Sequence, residues 1–385
     1  MIVLNEKSDL IKIVFVYNIG RHLESKKLQA QLSSQIFKKG TKLKTAYQQN
    51  SAIDFFGASI EVFASPLFIT VEMYVLEKHI ALVLPLFFET LYEQDINDDE
   101  WQILVNQNIE ELKQQELQND VKSDKEISEK IYGHNSIYGY YSRPSDYEFI
   151  KKTEVLDYYN QFFKKTIPQI FISGNIHKTH ISLIEKQIEK YSLNETHELY
   201  KEPTVCQNLN PSHYLAEKQK CTQRSVRLGT VLQFDCVDEW ISIEILNMAL
   251  GGYFQSELMK EIRQKKGYTY GIYSYLIAFP CFATWIIAYE TTPKNINPSL
   301  IEIKKIFERF YKNKKTINEA KKQLYGQWTR NTNSTMNELS YYVKFYKMGL
   351  DYNDYKEKIK NYNSLNLYNI SKDRFNYEKL VKVII

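Results

Sequence analysis

The sequence predicts an α+β chain of two tandem, homologous domains, each an antiparallel-rich sheet with helices packed on one face. Three observations predict it. Short runs of alternating apolar residues mark strands in both halves, beginning at Ile11 and again at Val226. The order strand, helix, hairpin, helix, helix occurs twice, and the second long helix of each half opens on an Ile-Asn pair, Ile96-Asn97 and Ile317-Asn318. Between the halves lies a polar stretch bearing Pro203 and Pro211, with no clear period. The expected division is a first domain over 1–195, a linker over 196–220 and a second domain over 221–385.

Each element has a local reason. Ile11, Ile13, Phe15 and Tyr17 alternate into a first strand, and Leu28, Leu32 and Ile36 share one face of a helix from Glu24 to Lys39, stopped by Gly40. A helix over 45–56 leads through Gly57 into a hairpin of Ile60-Val62 and Phe68–Tyr74. Helices follow over 78–92, from Asp95 to about Gln118, and over 123–132, with Ser123 as cap and Glu126 in the capping-box position. Helix 153–164, strand 169–173 and helix 179–191 complete the half. In the second half, Val226 to Phe234 is a strand and Asp238 caps a helix through Leu250. Helices 298–310 and from Thr316 follow the strand 284–289, which enters through a turn at Phe279-Pro280-Cys281.

Bulk properties exclude some functions. With 385 residues, 43% of them apolar, the chain can bury two ordinary cores. A formal charge of +4 and no long basic run argue against nucleic acid, and no apolar run spans a bilayer. Cys206, Cys221, Cys236 and Cys281 show no Cys-x-x-Cys spacing, which disfavours a zinc ribbon or redox motif. A Cys206–Cys221 disulfide and reduced, idle thiols are the two readings, the second being the expectation. The first residues show no signal-peptide pattern. The expected location is cytoplasmic, or periplasmic if an export segment has been removed.

The stretch 250–270 carries the most information. Gly251-Gly252 breaks a helix, and Phe254, Leu258 and Ile262 recur four apart, as on one helix face. Gly267 ends that helix after Lys265-Lys266, where cations suit the negative end of the dipole. Tyr268, Tyr270 and Ile272 alternate as in a strand. Leu258, Glu261, Ile262, Arg263, Gly267 and Tyr270 match the pattern Leu-x-x-Glu-Ile-Arg-x-x-x-Gly-x-x-Tyr. This stretch resembles the second-domain signature of the pitrilysin/insulinase/mitochondrial processing peptidase family of zinc peptidases. The resemblance implies the LuxS/processing-peptidase-like metallohydrolase fold. It also implies that Arg263 and Tyr270 contact substrate backbone near the scissile bond, with Gly251 and Gly252 of the short glycine loop as further substrate-binding positions.

Active members of that family carry a His-x-x-Glu-His helix in the first domain, where two His bind zinc and the Glu activates its water. Counting back from Lys39-Gly40-Thr41 places Gln31, Ser34 and Gln35 at those positions. Gln is a poor zinc ligand and Ser is no general base at neutral pH. Glu110 or Glu111 falls where the family's third ligand stands. His22 has no second His nearby in sequence, and the His177/His180 pair, at a helix start without an acidic base, reads as a surface pair.

The resemblance therefore implies a non-catalytic, substrate-binding subunit. It would hold no metal itself and pair as a heterodimer with a His-x-x-Glu-His paralogue that supplies the zinc. Its substrates would be unfolded peptides adding as a strand to a sheet edge. Two other readings stay open: a structural scaffold of the same fold, and a zinc enzyme with unusual ligands.

Overall fold

The computed structural model describes residues 1–191, 193–198, 213–215, 222–362 and 374–385. Most of the expected linker, including Cys206, lies outside them, and so does Cys221. The first half gives β1 (Ile2–Asn5), β2 (Leu10–Tyr17), α1 (Gln29–Gln35), α2 (Ala46–Asp54), β3 (Ser59–Ala64), β4 (Ile69–Leu76), α3 (Ile80–Tyr92), α4 (Asp98–Gln115), α5 (Asn119–Tyr132), α6 (Asp146–Phe149), α7 (Lys152–Tyr158), β5 (Gln169–Gly174) and α8 (Lys178–Lys190). The second gives β6 (His213–Leu215), β7 (Arg224–Gln233), α9 (Val237–Asn247), β8 (Ile272–Phe279), β9 (Phe282–Thr291), α10 (Ile296–Phe307), α11 (Lys314–Asn331), α12 (Thr335–Met348), α13 (Tyr352–Asn361) and β10 (Val381–Ile384).

The repeat read from the sequence is a repeat of topology. One five-stranded sheet runs β1-β5-β2-β4-β3 and the other β6-β10-β7-β9-β8. Each has one parallel pair, β1 with β5 and β6 with β10, and is otherwise antiparallel. The fold is α+β. The edge strands β3 and β8 occupy equivalent places.

The chain divides into two compact units that do not follow the expected boundaries at 195 and 221. Unit one comprises Met1–Lys113, Ser142–Tyr200 and Thr332–Lys344, and unit two Gln114–Tyr141, Lys201–Asn331 and Phe345–Ile385. Each half thus lends a segment to the other's unit.

In unit one, Ile11, Ile13, Phe15 and Tyr17 of β2 face Phe87, Phe88, Leu91 and Tyr92 of α3, all buried. The Tyr17 and Tyr92 hydroxyls meet at 2.6 Å inside this core, so neither polar group is left without a partner.

In unit two, α5 explains the exchange. Its buried Ile127 and Ile131 pack with Ile286 and Ala288 of β9 and Val381 and Val383 of β10. A Cβ on Gly229 would lie 3.1 Å from Ile131, so the glycine admits the helix closely. Buried Arg227 of β7 donates from Nε to Asp124 of α5 at 2.6 Å. This places a helix on the second face of that sheet, beyond the single helical face expected.

Several expected ends shift for identifiable reasons. The first helix begins at Gln29, not Glu24, because Leu28 adopts φ +78 and the Glu24 carboxylate accepts the Ala30 N–H at 2.7 Å. Ser123 lies inside α5, donating back to the Asn119 carbonyl at 2.8 Å, and is no cap. Cys236, not Asp238, occupies the N-cap of α9, with Asp238 in the first turn. Strands β1 and β10 and helices α12 and α13 had no sequence expectation. Among the described residues, no helix is long and apolar enough to cross a membrane.

Candidate functional site

Helix α1 presents Gln31 and Gln35 one turn apart on one face, as their spacing requires. Across from them, α4 turns Asn108 inward. Gln35 Nε2 donates to Asn108 Oδ1 at 3.1 Å, and Asn108 Nδ2 donates to Gln35 Oε1 at 2.9 Å, a reciprocal amide pair. Asn108 Nδ2 also donates to the Leu104 carbonyl at 2.9 Å. Gln31 Nε2 donates to the Tyr147 hydroxyl at 2.9 Å, which in turn donates to Asn108 Oδ1 at 3.2 Å. The Ser142 hydroxyl donates to Gln31 Oε1 at 2.9 Å. Ser34 is engaged within its own helix, donating to the Gln31 carbonyl at 2.6 Å.

Both Gln amides, Asn108 and the phenol thus close one neutral network linking α1, α4 and the segment 142–149. Its donor set does not fit a zinc ion, which needs deprotonated or lone-pair ligands, whereas these amides already satisfy one another. Among the described residues, no group of three or more His, Cys, Asp and Glu is placed to hold a metal ion. Of the two expected relic positions, Glu110 turns outward to Lys113 at 2.7 Å. Glu111 lines a cleft of about 560 Å³ with Ser34, Gln35, Asn108 and, from the edge strand β3, Glu61 and Phe63.

Sequence reasoning missed Asn108, Ser142 and Tyr147. Asn108 was within reach, since it lies three residues before Glu111 on the same face of α4. His177 and His180 serve the start of α8: the His177 N–H donates to His180 Nδ1 at 3.3 Å, and His177 Nε2 meets Glu77 at 3.2 Å. Cys236 and Cys281 are free thiols.

Burial is the chief influence on Tyr147, pushing its phenol up to about 12, with help from the charges of Glu111 and Asp146 and against its bonds to Ser142 and Gln31. The folded state therefore holds this proton more tightly than the unfolded chain. Its contribution to stability is complete below pH 10 and is lost as pH rises from 10 toward 12. Wild type and Tyr147→Phe are expected to differ in thermal midpoint by a constant amount at neutral pH, and the gap should close over that alkaline window. A gap unchanged at pH 12 would contradict this assignment.

In unit two, Arg263 and Tyr270 are not brought together by any hydrogen bond. Leu258 and Ile262 are fully buried. Phe254 precedes the helix and is 57% exposed, so it does not share their buried face as the four-residue spacing suggested. The helix widens to π-helical turns over Met259–Lys265, and the Arg263 guanidinium lies over the Phe254 ring, 5.2 Å from its centroid. Gly267 ends the helix at φ +63, as expected, with its N–H bonded to the Arg263 carbonyl at 3.1 Å.

The expected strand at Tyr268 begins only at Ile272, because Thr269 and Thr291 hydroxyls take the local carbonyls. Thr269 donates to Glu290 O at 2.6 Å and Thr291 to Tyr268 O at 2.6 Å. Tyr270 therefore stands on a turn, 89% exposed, beside a cavity of about 520 Å³ that Tyr273, Asp120, Arg227 and Glu290 also line. Gly251 and Gly252 are packing positions. A Cβ on Gly251 would lie 2.7 Å from the Ser274 backbone N, and one on Gly252 2.7 Å from Met248 Sδ.

The fold has relatives among known proteins. Residues 150–324 match the family model described as the peptidase M16 inactive domain. The chain is 22% identical over 311 residues to the "Uncharacterized zinc protease YmxG" of Bacillus subtilis, covering 79% of this chain and 74% of the relative. The crystal structure of a peptidase M16 inactive domain from Pseudomonas fluorescens superposes with a TM-score of 0.87 at 17% identity, covering 99% of this chain and 94% of that one. A protease from Helicobacter pylori gives 0.84 at 16% identity, covering 99% and 96%. At these identities the two structures carry the fold alone.

Proposed function

For a chain that fits an inactive member of the peptidase M16 family, we propose the role of the non-catalytic, peptide-binding subunit of a heterodimeric zinc metallopeptidase. One observation carries it. The positions where the resemblance expects metal ligands hold amides bonded to one another, while Arg263 and Tyr270 keep every side-chain N–H and O–H clear of hydrogen bonds among the described residues. A guanidinium fork suits substrate carbonyls, and a phenol can donate to a developing oxyanion. An extended peptide would pair with an edge strand, and β3 and β8 are the antiparallel edges of the two sheets. Hydrolysis then requires a His-x-x-Glu-His partner holding the zinc.

The test is co-expression with a His-x-x-Glu-His paralogue from the same genome. The expected result is an equimolar complex that contains zinc and hydrolyses fluorescein-labelled casein, with neither chain active alone. This chain purifying with a stoichiometric, tightly held zinc, or cleaving casein by itself, would overturn the proposal. A complex whose turnover ignores changes at Arg263 and Tyr270 would favour the scaffold reading.

A further inference from the structure

We propose that Phe254 is the positioning residue for Arg263, and that Gly251 and Gly252 present it. This rests on the peptide-contact reading of Arg263. Three observations support it. First, Phe254 is a large apolar side chain left 57% exposed, with the guanidinium as its ring's cationic neighbour at 5.2 Å. Second, the two acids of this helix bond elsewhere, and among the described residues neither pairs with Arg263. Glu257 accepts from the Thr316 hydroxyl at 2.9 Å, and Glu261 pairs with Lys265 at 2.7 Å and Arg309 at 3.4 Å. Third, the backbone before Phe254 is fixed by close approach. The missing Cβ of Gly251 lets the π-turn press on Ser274 of β8, and that of Gly252 makes room for Met248. Tyr253 then leaves the turn extended (φ −154, ψ 171), and the Ser256 N–H closes on the Tyr253 carbonyl at 3.0 Å.

The chemistry distinguishes this support from an ion pair. A carboxylate partner would occupy guanidinium N–H donors and cancel the charge. A ring face restrains the long side chain by attraction to the cation and takes no donor. The N–H edge stays available for a peptide carbonyl.

The experiment measures anisotropy of fluorescein-labelled casein, an unfolded polypeptide, titrated with the full chain and its variants. Arg263→Ala is expected to weaken binding about tenfold, as for loss of a charge-assisted contact worth ~1.5 kcal/mol. Phe254→Ala should weaken it about two- to fivefold, the range of an exposed cation–π contact, and Phe254→Trp should restore it. In the Arg263→Ala background, Phe254→Ala should have no further effect. Independently of any ligand, NMR should show the upfield ring-current shift of the Arg263 side-chain protons lost in Phe254→Ala and kept in Phe254→Trp. If Arg263→Ala weakens binding but Phe254→Ala does not, or the two losses simply add, the positioning role fails while the peptide-contact reading survives. If wild type does not bind casein, or Arg263→Ala binds as wild type does, the peptide-contact reading fails and the inference with it.

Discussion

Replacing Tyr270 with Phe is expected to lower the turnover of the reconstituted complex about a hundredfold, the scale of removing one oxyanion donor. The thermal midpoint of the chain should not move. The side chain is 89% exposed, and its hydroxyl has no hydrogen-bond partner among the described residues, so the fold loses nothing with the oxygen. A group without internal partners can matter only to something that binds. The kinetic split is informative. An oxyanion contact exists in the transition state alone, so kcat should fall with KM unchanged. Arg263→Ala should instead raise KM, since substrate carbonyls are present in the ground state too. Unchanged kcat and KM in both variants would remove these residues from the reaction.

The second large effect is expected at Asn108. Asn108→Leu keeps the branched shape but strands both ends of the Gln35 amide and the proton of the Tyr147 hydroxyl, in a site where Asn108 is only 8% exposed. The stranded Tyr147 proton is buried and costs roughly 1–3 kcal/mol, while the half-buried Gln35 amide, open to the cleft, costs less, so after the apolar surface gained the net loss should be about 2 kcal/mol. At roughly 2–4 °C per kcal/mol for a unit of this size, the thermal midpoint falls by about 4–8 °C. The double variant Gln35→Leu/Asn108→Leu should recover part of the loss, because the Gln35 amide is no longer unpaired while the Tyr147 proton still is. Calorimetry checks both. A neutral Asn108→Leu would show that the amides are idle surface and not a cross-link.

The expectation for this locus was partly legible. Helical spacing put Gln31 and Gln35 on one face, and their chemistry separated them from metal ligands. The sequence suggested failed ligands at Gln31 and Gln35, and a relic Glu110 or Glu111. Neither reading could foresee that Tyr147 and Asn108, 116 and 73 positions away along the chain from Gln31 and Gln35, would close the network. Asn and Tyr are common residues with no spacing signature, and only proximity gives them this role. The reading at 254 failed for a related reason. A four-residue period assumes that the helix has already begun, but a turn precedes it and the π-helical turns alter its phase.

By itself the sequence determined most helices and strands of both halves, though not β1, β10, α12 or α13, their repeated order, the Gly267 stop and the amide chemistry of Gln31 and Gln35. These are local properties, fixed by side-chain period, capping chemistry and backbone freedom. The tertiary structure decided that α5 belongs to the second unit, that Asn108, Ser142 and Tyr147 complete the first unit's polar network, and that Arg263 lies over Phe254 while Tyr270 stands on an open turn. The physical reason is that periodicity says which face of an element must be covered and never which surface covers it. That choice is made by complementarity between distant parts of the chain, as when Gly229 and Arg227 receive Ile131 and Asp124.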